Sequence, residues 1–150
     1  MTHVSSGRIL TSLVCGRIPE VTRQEEEDDD SVESVLFSSS LPVIASATVK
    51  GIIEVWEVSN FSRRCYFLHE EGVSCILWDP FETFKLYSAG LDGCVSVWDA
   101  RNGKILSRIH AHEDQILDMK ILSLSSDSNQ QLLLTASEDT TCQVLSADFE

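Results

Sequence analysis

Two turn-forming dipeptides, Asp92-Gly93 and Asn102-Gly103, stand ten residues apart, with Val95, Val97 and Trp98 between them. Each dipeptide tolerates the positive φ angles of a two-residue primed hairpin turn. The residues between them are β-branched or aromatic strand formers. The pattern predicts strand, turn, strand, turn, strand: an antiparallel meander. It also recurs. Shifted back by 42 residues, Ser46 to Glu57 falls on Ser88 to Asp99, so that Gly51 meets Gly93, Val55 meets Val97 and Trp56 meets Trp98. Shifted forward by 47, Thr135 to Ser146 falls on the same stretch; Asp139 meets Asp92, Val144 meets Val97, and Leu145 replaces the tryptophan. The extra residues fit in the polar run from Ser123 to Gln131. A period of about 40–45 residues predicts four strands per repeat.

Trp98-Asp99, closing a middle strand on this period, resembles the Trp-Asp signature of a WD40 blade. The resemblance implies an all-β chain and a β-propeller, whose rings need about 4–8 blades to close. At 150 residues the chain holds about three and a half blades and reads as a fragment of a seven- or eight-bladed ring. The expected units are an outer strand of a truncated blade in 1–15 and an acidic inter-blade loop in 16–30. Blades follow in 31–69 and 70–110, and a final blade lacking its outer strand in 111–150. In the first complete blade the strands are expected at Val32 to Phe37, Pro42 to Ala47, Ile52 to Val58 and Cys65 to Leu68.

Five cysteines, Cys15, Cys65, Cys75, Cys94 and Cys142, form an odd set without a Cys-x-x-Cys pair. Small buried thiols in a reducing cytosol account for them better than disulfides or zinc, and the expected compartment is the cytoplasm. Ile9 to Val14 is too short for a membrane span or a signal-peptide core, so no membrane span is expected. Glu25 to Asp30 is a run of six carboxylates whose repulsion favours a solvated loop. It lacks the alternation and turn glycine of a calcium loop. No metal or other cofactor is expected.

WD40 blades commonly hold a buried polar network of histidine, serine or threonine, aspartate and tryptophan. The matching positions are His69, Ser88, Asp92 and Trp98 in the second complete blade. In the third they are His112, Thr135 and Asp139, where Leu145 supplies no donor. Nucleophilic catalysis would need an exposed hydroxyl beside an oxyanion site. Inside a blade these groups point inward and satisfy one another. The chain is therefore read as non-enzymatic.

Its net charge of −13 is unevenly placed. Loops leading into each inner strand share a propeller face with the turns between second and third strands. That face receives Glu25 to Asp30, Glu70, Glu71, Asp92, Glu113, Asp114, Glu138 and Asp139, against Lys50 and Arg23 as the cations expected there. Arg63, Arg64, Arg101 and Lys104 fall on the opposite face. Such polarity attracts a basic protein segment and repels nucleic acid.

From Ser31 onward the chain resembles the C-terminal part of the angio-associated migratory cell protein family of WD40 chains. Ser31 to Phe37, Leu91 to Arg101 and Ile116-Leu117-Asp118 carry the likeness. The resemblance implies a cytosolic scaffold or adaptor linked to cell migration and vessel formation. A fungal counterpart escorts a basic large-subunit ribosomal protein. The competing reading is a truncated, orphan propeller fragment without stable fold or independent function, separated from missing blades of a longer chain.

Overall fold

The computed structural model describes residues 30–123 and 131–147. The outer strand expected in 1–15, and nearly all of the acidic loop expected in 16–30, lie outside the described residues. Among the described residues eleven strands form three antiparallel sheets, each in sequence order. The first holds β1 (Val32–Phe37), β2 (Val43–Thr48), β3 (Ile52–Glu57) and β4 (Arg63–Leu68). The second holds β5 (Val73–Trp78), β6 (Lys85–Gly90), β7 (Cys94–Asp99) and β8 (Lys104–His110). The third holds β9 (Ile116–Ser123), β10 (Gln131–Ser137) and β11 (Cys142–Ser146). The outer strand expected to start at Cys65 starts at Arg63, because Arg63 pairs with Trp56 across a bulge. Among the described residues no helix is long and apolar enough to cross a membrane.

Successive side chains of a strand point to opposite faces, and the core follows that period. Leu86 and Trp98 join Val43, Ile53, Val55 and Phe67 in the cluster between the first two sheets. Their chain neighbours Tyr87, Ala89, Val95 and Val97 turn the other way, onto Ile116, Met119 and Leu133 of the third sheet. The middle sheet is thus apolar on both sides, which is why every residue of β7 is buried. Sheets packed in this way bury a continuous core only as neighbours. Bulges recur in register too, at Val55/Trp56 and again at Val97/Trp98.

The turns differ from the expected primed hairpins. Within the Asp92-Gly93 and Asn102-Gly103 turns, positive φ is confined to the glycines, and Asp92 and Asn102 stay out of the left-handed region. Their side chains instead accept the amides of Cys94 and Lys104, each at 2.9 Å. This Asx geometry needs one left-handed residue per turn instead of two. Gly51 and Gly93 fill that role in the first two sheets, and Thr140 fills it in the third, at φ 71. A β-branched residue is strained there. Thr140→Gly is expected to stabilise the chain by about 1 kcal/mol in chemical denaturation, since the left-handed penalty is roughly 1–2 kcal/mol per L-residue. A destabilised variant would mean the Thr140 side chain contributes more than its strain costs.

β11 is exposed along nearly its whole length, whereas β7 is covered on both faces. Amide exchange should therefore be faster in Cys142–Ser146 than in Cys94–Asp99. The reverse order in a hydrogen-exchange experiment would contradict the packing described.

Candidate functional site

Glycine brings the acidic loops together. A Cβ on Gly51 would lie 2.4 Å from the Glu71 carbonyl, and one on Gly93 would lie 2.0 Å from the His112 carbonyl. The loop after β4 therefore lies directly on the β2–β3 turn, and the loop after β8 on the β6–β7 turn. Backbone bonds fix both contacts: the His69 amide donates to Gly51, and the Ala111 and His112 amides donate to Gly93. The loop into β9 is tied to the β10–β11 turn by the Glu138 amide, which donates to the Gln115 carbonyl at 3.1 Å. Glu70, Glu71, Glu113, Asp114 and Glu138 are exposed along this one edge of the sheets.

Asp92 and Asp139 lie on the same edge but are half-buried and committed internally. Asp139 accepts from the Thr141 amide and hydroxyl and stands 2.9 Å from His112 Nδ1. Those contacts, led by the Thr141 hydroxyl, hold its carboxyl well below the usual range although burial opposes them. Burial also pushes the Asp92 carboxyl up. The Cys94 amide, His69 and Arg108 outweigh that and leave it below its ordinary value.

The polar network of the second sheet departs from the expected one. Trp98 Nε1 donates to Ser88 Oγ at 2.8 Å, as the repeat predicts. His69, however, pairs through Nε2 with Ser96 Oγ at 3.2 Å, not with Ser88. Its Nδ1 makes no hydrogen bond to Asp92, so the expected continuity from His69 to Asp92 is broken. Asp92 turns instead to the Cys94 amide and to Arg108. Trp98 stacks on Phe67 of the outer strand β4, with ring centroids 5.3 Å apart, a partner not anticipated for it.

In the third sheet His112 Nε2 meets Thr135 Oγ1 at 2.8 Å, and Nδ1 meets both Asp139 and Thr141. This network is more continuous than that of the second sheet, although it has no tryptophan. Leu145, in the place of the tryptophan, is half-buried against the second apolar cluster, since among the described residues β11 is the edge of its sheet.

One cation escaped the charge map. Arg108 of β8 donates to Asp92 Oδ2 at 2.6 Å and also pairs with the Glu70 carboxylate. Strand direction was the available signal: β8 starts at the Gly103 turn, so its far end at Arg108 must reach the acidic edge. On the opposite edge, Arg63 is paired with buried Glu54 at 2.8 Å and Arg64 with Glu57 at 3.3 Å. Arg101 grips Asp99 through Nε and Nη2, and this holds the Asp99 carboxyl at about 2. Arg64 and Arg101 both lie over the Phe84 ring. Ion pairs on the acidic edge reach Glu70, Asp92 and Asp139, but among the described residues none involves Glu71, Glu113, Asp114 or Glu138. No group of described residues is arranged to hold a metal ion.

These groups set the response to acid. Burial pushes the His69 imidazole below its ordinary value, so the unfolded chain takes up that proton first. Its contribution is present above about pH 6.5 and falls away as the pH drops below that value. Asp99, Asp92 and Asp139, all depressed, contribute above about pH 4 and lose that contribution as pH falls through their folded values. The urea midpoint should therefore fall in two stages between pH 7 and pH 2. A midpoint that rises between pH 7 and 5 would contradict a neutral, buried His69.

The WD40 signature, described as "WD domain, G-beta repeat", matches residues 62–99 and 103–145. The chain is 34% identical over 126 residues to the angio-associated migratory cell protein of Canis lupus familiaris, covering 84% of this chain and 28% of that one. It is 32% identical to the Homo sapiens protein of that name over the same shares. An uncharacterized WD repeat-containing protein of Schizosaccharomyces pombe is 28% identical, over 93% of this chain and 31% of its own length. The chain thus spans less than a third of each of these relatives. Among solved structures, Saccharomyces cerevisiae Sqt1 superposes with a TM-score of 0.73 at 23% identity, covering 84% of this chain and 34% of that one.

Proposed function

The chain belongs to the WD40-repeat family, and on that premise we propose that it is a non-enzymatic scaffold whose acidic edge captures a basic segment of a partner protein. One observation carries this reading: exposed carboxylates on the β4–β5 loop, the β8–β9 loop and the β10–β11 turn lie along one edge, while the arginines of the other edge are paired with carboxylates of their own sheets. A concentrated field of one sign raises the rate of encounter with an oppositely charged ligand and orients it. It disfavours nucleic acid, whose binders need cationic surfaces. Escort of a basic, ribosomal-type protein is the form of scaffold that the charge polarity fits best. The name of the curated relatives adds cell migration as the setting in which such a partner would act. Cys65, Cys75, Cys94 and Cys142 are free thiols, which fits a reducing cytoplasm.

The test is capture of a fluorescent Arg/Lys-rich peptide by the full chain. Changing Glu71, Glu113, Asp114 and Glu138 together to lysine should abolish capture, whereas Arg64→Gln with Lys104→Gln should leave it intact. Capture should also weaken steeply as salt shortens the Debye length to about 8 Å and below. Equal capture by both variants would overturn the reading and leave the charge as a solubility device.

A further inference from the structure

A cleft of about 500 Å³ opens between the first two sheets, bounded by β4 on one side and the β7–β8 hairpin on the other. Its walls include the stacked rings of Phe67 and Trp98, and its lips are Leu68 and Ile105, exposed by 52% and 51%. Among the described residues β4 is the edge of its sheet, and none of their strands pairs with its outer row of peptide groups. His69, only 5% exposed, also lines the cleft. At one end stand Glu70, with its side chain 75% exposed, and Arg108. Glu70 therefore belongs to both the cleft and the acidic edge.

We propose that this cleft is the anchor site for the partner segment, which lies extended beside β4, seats one large apolar side chain between the exposed lips Leu68 and Ile105, over the edges of Phe67 and Trp98, and runs its adjoining Lys or Arg past the Glu70–Arg108 pair to Glu71. Edge strands accept extended peptides through main-chain hydrogen bonds, with pockets selecting alternate side chains. Charge alone speeds encounter but gives little residence time, while a buried apolar or aromatic anchor slows release. The basic half of this ligand rests on the acidic-edge reading; the apolar half does not.

Two fluorescent peptides separate the two ideas: Ser-Phe-Thr-Leu-Lys-Arg, and the same peptide with Phe and Leu replaced by serine. The first should bind the full chain roughly ten- to a hundredfold more tightly, as expected for burying one large apolar side chain. Ile105→Gln, or Leu68→Gln on the other lip, should remove that advantage and leave the weaker binding of the serine peptide unchanged. Both lips are exposed, so neither change disturbs the core. Equal binding of the two peptides overturns the cleft and leaves the acidic edge standing. So does an advantage that survives both lip variants. Tight binding of the apolar peptide that persists when the acidic loops are reversed to lysine upholds the cleft and overturns the acidic edge. Binding of neither peptide overturns both.

Discussion

Trp98→Ala is expected to lower the folding free energy by about 3–5 kcal/mol, the usual cost of removing a buried tryptophan. The indole is 5% exposed, stacks on Phe67 and donates to a serine that is itself fully buried. Its loss opens a cavity between the first two sheets and leaves Ser88 without that donor. Trp98→Phe separates the two effects. It keeps most of the volume and the stack, so it should cost only about 1–3 kcal/mol for the unmet hydrogen bond. Urea unfolding of both variants gives the numbers. A loss below about 1 kcal/mol for the alanine variant would contradict the burial of Trp98.

Gly93→Ala is expected to cost at least about 2 kcal/mol and to loosen the acidic edge locally. Gly93 has φ 72, and its added methyl would sit 2.0 Å from the His112 carbonyl and 3.0 Å from that of Asp114. Both obstacles are backbone, so the loop must move. The Ala111 and His112 amides should then exchange faster, because both donate to the Gly93 carbonyl. Capture of the basic peptide should weaken as Glu113 and Asp114 leave their positions. A variant as stable as the parent, with unchanged exchange at those amides, would show that the loop does not depend on this contact.

The strands were legible because they obey a period of two inside a longer repeat. Val95, Val97 and Trp98 announce a strand, and their recurrence announces its neighbours. The Trp98–Ser88 bond was legible for the same reason, since repeat position names both ends. The partner of His69 was not. Ser88 and Ser96 lie directly opposite on adjacent strands and point to the same face, so the choice between them rests on the tilt of one ring. The Arg108 bridge was hidden differently: it joins a strand, a turn and a loop. Charges counted along the chain do not show which end of a strand each one reaches. The Thr140 strain emerges only when the third repeat is laid on the second and a threonine falls where a glycine belongs. The cleft has no local signature, because it is made by two sheets at once.

The exposed carboxylates stand at the ends of strands, on loops hydrogen-bonded to the neighbouring turns. A force that pulled a held cargo straight away from that edge would run along the strands. In antiparallel pairs the ladder bonds lie across the strands. Such a pull would load many of them together, in shear, instead of opening them one by one as a zipper. Traction applied sideways to β11, at the edge of the third sheet, would peel that strand away bond by bond. The molecule should therefore be mechanically anisotropic, stiff toward a tug on its cargo and weak to a tug across its rim.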